Sequence, residues 1–111
     1  MGDDLASKKC VPCSGAVPRL WGFELEHFAR QVPAWKAVRE HHLERTFTFP
    51  DFKAALAFTN VVGALAEAEG HHPEILTGWG KVVVTLWTFK IDGLSEADFV
   101  LAAKIDVAFG A

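Results

Sequence analysis

At 111 residues, half of them hydrophobic and including nine Phe and four Trp, the chain is one domain's worth and can bury a single core, which excludes disorder as its reading. A net charge of −3 with no dense basic run disfavours direct DNA or RNA binding, which draws on clustered Lys and Arg. No apolar run reaches the roughly 20 residues that cross a bilayer, and "MGDDLASKKC" lacks the apolar centre of a secretory signal, so a soluble, cytoplasmic protein without membrane contact is expected.

Residues 1–19 read as an extended leader over the domain surface, since "KKCVPCSGAVPR" has no helical or strand period and holds Pro12, Gly15 and Pro18. It contains both cysteines, Cys10 and Cys13. A closed zinc site wants about four ligands and a redox pair wants a helix start beside a strand, so one C-x-x-C here leaves open a reversible thiol pair, a redox pair or a shared metal site.

Residues 20–111 read as the domain. "WGFELEHFARQV" (21–32) predicts a helix with Phe23, Leu25, Phe28 and Val32 inward, stopped by Pro33. "AWKAV" and "LERTFTF" predict a hairpin around "REHH", because Leu43, Arg45, Phe47 and Phe49 alternate with Glu44, Thr46 and Thr48; His41 and His42 then fall in an exposed turn. Pro50 and Asp51 open a second helix whose stripe is Phe52, Ala55, Leu56, Thr59, Val62, Leu65 and Ala66, and Gly70 stops it. "PEIL" suits a short strand, "TGWG" a turn, and "KVVVTLWTF" a long strand. Its Val82, Val84, Leu86 and Thr88 share one face, and Val83, Thr85, Trp87 and Phe89 the other. Ser95 and Asp98 form a capping-box signature before a last helix with Phe99, Leu101, Ala102 and Ile105 inward.

The order α-β-β-α-β-β-α predicts an α+β two-layer sandwich, a four-stranded antiparallel sheet with about three helices on one face. The uncovered face and the surplus of aromatic residues predict association into oligomers.

His71 and His72 leave the second helix together, and imidazoles move protons readily near neutral pH. Glu67 precedes them by one turn, close enough to fix a tautomer. On chemistry alone the pair fits acid–base catalysis, metal binding or a solvated turn.

"AEAEGHHPEI", Trp79 in the next turn, "KVVVTLWT" and "GLSEADFVLAAKID" resemble the pterin-4a-carbinolamine dehydratase family over about residues 20–107. The leader with "CVPC" resembles the N-terminal extension of one bacterial-type subgroup. The resemblance implies an α+β domain forming homodimers or homotetramers that needs no cofactor and no metal. It further implies dehydration of 4a-hydroxytetrahydropterins to quinonoid dihydropterin in tetrahydrobiopterin recycling. Catalysis is then carried by His71, His72 and Glu67, with Trp35, Pro73, Glu74, Trp87 and Phe89 around the pterin. The family's usual third histidine aligns with Phe89, which cannot move a proton. The family also includes a dimerisation cofactor of a homeodomain transcription factor and Rubisco assembly factors. A non-enzymatic binding or assembly protein, with a protein partner, is therefore the alternative expectation.

Overall fold

Four strands, β1 (Lys36–Val38), β2 (His42–Thr48), β3 (Glu74–Gly78) and β4 (Lys81–Leu86), pair antiparallel in the spatial order β1-β2-β4-β3. They belong to a computed structural model that describes residues 5–8 and 18–110. The period of two has its expected effect on β4: Val82, Val84 and Leu86 are fully buried, while Val83 and Thr85 remain partly open on the other face. Leu43 and Phe47 of β2 join them in the core.

Three helices, α1 (Gly22–Ala29), α2 (Phe52–Glu69) and α3 (Glu96–Phe109), complete the α+β sandwich, with 3-10 turns at Leu5–Ser7 and Phe89–Ile91. Helix α3 is the central one and buries Phe99, Val100, Leu101, Ala102 and Ile105. Its start carries the expected capping box, with the Ser95 side chain taking an N–H of the first turn and Asp98 accepting from Ser95 N at 2.9 Å. Leu5, 3% exposed, also belongs to the core, and Lys104 Nζ donates to Ala6 O at 2.8 Å. Cys10 and Cys13 lie outside the described residues.

Several expectations are corrected in detail. Helix α1 stops at Ala29, earlier than residue 32, because the chain tightens ahead of Pro33 through Gln31 N to Phe28 O and Val32 N to Ala29 O bonds. Its buried residue is Leu25; Phe23, two positions away and so on the opposite side, is 80% exposed. The stripe of α2 runs through Ala55, Phe58, Val62 and Ala66, and Phe52 and Leu56 sit on an exposed flank. Phe58 wins the interior place because a ring cluster of Phe47, Phe49 and Phe109 receives it, at 4.8 Å from Phe47. β3 extends to Gly78, leaving Trp79 and Gly80 alone as the turn, with Gly80 at φ 78°.

Candidate active site

The end of α2 aims both histidines. Gly70 adopts φ 66°, a left-handed conformation that costs a residue with a Cβ about 1 kcal/mol, and His71 N reaches back to Ala66 O at 3.2 Å. This reversal breaks the helical phase. Glu67 therefore does not meet His71, one turn on; it meets His72, with Oε2 2.6 Å from His72 Nε2 in an exposed pair.

His71 is swung toward the start of α3 instead. Its Nε2 lies 2.6 Å from Asp98 Oδ1, in a pair where Asp98 is fully buried and His71 nearly so. The other carboxylate oxygen, Oδ2, accepts from Thr88 Oγ1 at 2.7 Å and from Ser95 N at 2.9 Å. With Oδ2 saturated, Oδ1 is left for His71. An ionised carboxylate only accepts, so the network assigns the proton of His71 to Nε2 and leaves Nδ1 free to accept one. The same logic assigns Nε2–H to His72 opposite Glu67.

A cleft of about 420 Å³ opens beside the pair, lined by His71, His72, Trp87, Thr88, Phe89 and Lys90, and its size falls within the usual range for small-molecule sites. Trp87 and Phe89 form an apolar wall with ring centroids 4.9 Å apart. Phe89 is 67% exposed, an open ring at the position where the family resemblance places an imidazole. Lys90 brings a cation to the rim.

The other expected contact residues stand elsewhere. Trp35 is a core residue, 5% exposed, with Nε1 donating to Asp106 Oδ1 at 2.8 Å and its ring edge-on to Phe47. Pro73 lines a separate groove with Thr59, Glu67, His72 and Ile75, so only His72 and Glu67 connect it to the pair. Glu74 faces the open side of the sheet, beside Glu44 and Thr85. Asp98, absent from the expected catalytic set, is the partner of His71; its capping-box position was the available signal.

His41 and His42 are not the exposed turn expected of them. The pairing of Leu43 with Leu86 places Trp87 across from His42, and both imidazoles pack on that indole, 5.5 and 6.1 Å between centroids. Among the described residues, no group of three or more His, Cys, Asp or Glu is placed to hold a metal, and no helix is long and apolar enough to cross a membrane.

The family described as "Pterin 4 alpha carbinolamine dehydratase" matches residues 19–108. A protein of Rubrobacter xylanophilus, provisionally named pterin-4-alpha-carbinolamine dehydratase, is 58% identical over 103 residues, covering 93% of this chain and 96% of its own. One of Alkaliphilus metalliredigens, with the same provisional name, is 56% identical over 105 residues, covering 94% and 95%. Among solved structures, a "transcriptional coactivator/pterin dehydratase" from Brucella melitensis superposes with a TM-score of 0.78 at 32% identity, over 84% of this chain and all of that one. A pterin dehydratase-like protein identified as a RuBisCO assembly factor in the alpha-carboxysome superposes with a TM-score of 0.55 at 31% identity, over 63% of this chain and 81% of that one.

Proposed function

The chain belongs to the pterin 4 alpha carbinolamine dehydratase family, and from that premise we propose that it dehydrates 4a-hydroxytetrahydropterins to quinonoid dihydropterin, using His71 and His72 as base and acid. The observation that carries this reading is that each histidine has its own carboxylate, Asp98 for His71 and Glu67 for His72, on one cleft with an aromatic wall. The reaction breaks the C4a–O bond and removes the N5 proton. His71 Nδ1 accepts that proton while the N5–H electrons form the N5–C4a double bond. A protonated His72 gives its proton to the departing hydroxide, and water leaves. His72 is exposed and regains its proton from solvent, and His71, which lines the cleft, releases its proton to water there once the product has left. Trp87 and Phe89 supply a flat apolar surface for the bicyclic ring. Trp35, Pro73 and Glu74 support this site through the surrounding fold rather than from the cleft wall.

Loss of the third imidazole at Phe89 lowers the rate without removing the pair. The protein works in pterin recycling in the cytoplasm as a homodimer or homotetramer. Leu76 on the open sheet face and Leu56 and Val61 on α2, each more than two-fifths exposed, are the apolar surface available for such association.

Phe89 also favours a second reading, a non-enzymatic binding or assembly protein, because an exposed ring at an acid–base position suits contact better than chemistry. Incubating the purified protein with freshly generated 4a-hydroxytetrahydropterin separates the two. Turnover above the buffer rate supports the enzyme; turnover at the buffer rate, with a large partner co-purifying from native lysate, supports the second reading.

A further inference from the structure

Trp87 touches a second imidazole pair that has no part in the reaction above. His41 and His42 meet through their Nδ1 atoms at 3.0 Å, and the remaining nitrogen of His41, Nε2, lies 2.8 Å from Asp92 Oδ1. That last contact spans from the β1–β2 turn to the loop 88–93, the loop that carries Phe89 and Lys90 into the cleft.

The loop is closed at its base by Thr88 N to Gly93 O at 2.8 Å and wound internally by the 3-10 turn, with Ile91 N to Thr88 O at 3.3 Å and Asp92 N to Phe89 O at 3.0 Å. Gly93 is buried against the Arg19 side chain, which a Cβ there would have to displace. Both ends of the His41–Asp92 contact sit at tight left-handed turns: Arg39 and Glu40 have φ 53° and 57°, and Asp92, which caps the 3-10 turn, has φ 49°. Each of these turns is closed by its own backbone bond, His41 N to Val38 O at 2.9 Å and Asp92 N to Phe89 O at 3.0 Å, so the His41–Asp92 contact joins two locally built ends. Several charged or titratable groups surround the contact. His42 comes from β2, Arg19 from the segment before α1, and Glu40, whose Oε1 accepts from Gly22 N, from the turn. The hydrogen bond from His41, then its charge, keeps the Asp92 carboxyl below its ordinary value, with Arg19 adding to the effect.

We propose that His41 and Asp92 clasp the loop 88–93 to the β1–β2 turn and so hold Trp87 and Phe89 in place as the wall of the histidine cleft, making His41 a positioning residue for the flat ring bound there. Only the last clause rests on reading the cleft as a pterin site. The imidazole pair packs tilted against Trp87 while Phe89 packs on it from the loop, so releasing the clasp loosens both sets of contacts that hold the wall.

The test measures amide hydrogen exchange at residues 89–93 and the affinity for 7,8-dihydropterin, in the wild type and in His41→Ala, Asp92→Ala and His41→Gln. Either alanine variant should speed loop exchange and weaken dihydropterin binding, each about two- to fivefold, the ordinary size for a solvent-exposed pair. His41→Gln, whose amide nitrogen reaches about where Nε2 stood, should restore both. Unchanged exchange in the two alanine variants would overturn the clasp. Faster exchange with unchanged affinity would overturn its link to the cleft. A wild type that binds no dihydropterin, with loop exchange still faster in the variants, would keep the clasp and sink the pterin reading instead.

Discussion

Replacing Asp98 by Asn changes protons and charge with almost no change of shape, and the network around it dictates the result. Oδ2 accepts from Thr88 Oγ1 and Ser95 N, so the amide oxygen has to take that place. The amide NH2 then faces His71 Nε2 across the 2.6 Å contact. It can only donate there, so Nε2 must lose its hydrogen and the imidazole must carry it on Nδ1. The base of the proposed reaction then becomes a donor. Loss of one general base lowers turnover by about 10² to 10⁴. One amide hydrogen goes to His71 and the second meets no named acceptor in a fully buried site, and charge-assisted bonds become neutral ones, so the stability cost is about 1–3 kcal/mol. Thermal unfolding and initial rates on freshly generated 4a-hydroxytetrahydropterin measure both quantities. A folded Asp98→Asn protein that turns over within about threefold of wild type would refute the tautomer argument, since even the weakest general-base loss is larger.

Phe89→His should raise the dehydration rate by about 10² if a third imidazole shares the acid role, and an unchanged rate would show that the pair works alone. Trp35→Phe removes the bond to Asp106, which Arg45 also holds at 2.6 Å; it should cost about 1 kcal/mol in chemical denaturation while dihydropterin affinity stays put. A large loss of affinity would place Trp35 in the site after all. Asp92 has its carboxyl held below 3.8 by His41, so its contribution is complete above that value and lost as pH falls through the lower folded value. Protection of residues 89–93, relative to the intrinsic exchange rate at each pH, should therefore hold at pH 5 and fall only below about pH 4, and protection already lost at pH 5 would count against the clasp.

What the sequence made legible was local. Ser95 and Asp98 announced a helix start, Gly70 a helix end, and the alternation from Val82 to Leu86 a buried strand face, because each signal depends on neighbours within one turn or one pleat. The pairing within the site was not legible in this way. Glu67 stands one turn before His71, yet the left-handed Gly70 hands it to His72 and sends His71 to a carboxylate 27 residues away. The packing of His41 and His42 on Trp87 depends on the β2–β4 register, which no short-range pattern encodes. Trp35 was placed at the site by resemblance, whereas its indole N–H is committed to Asp106 in the core.

The most direct test of the central claim compares dehydration of 4a-hydroxytetrahydropterin by the wild type with that by the double variant His71→Ala, His72→Ala, against buffer. The wild-type rate should exceed buffer by at least about 10², and a folded double variant should run at the buffer rate. A double variant as fast as the wild type, or a wild type no faster than buffer, would contradict that claim.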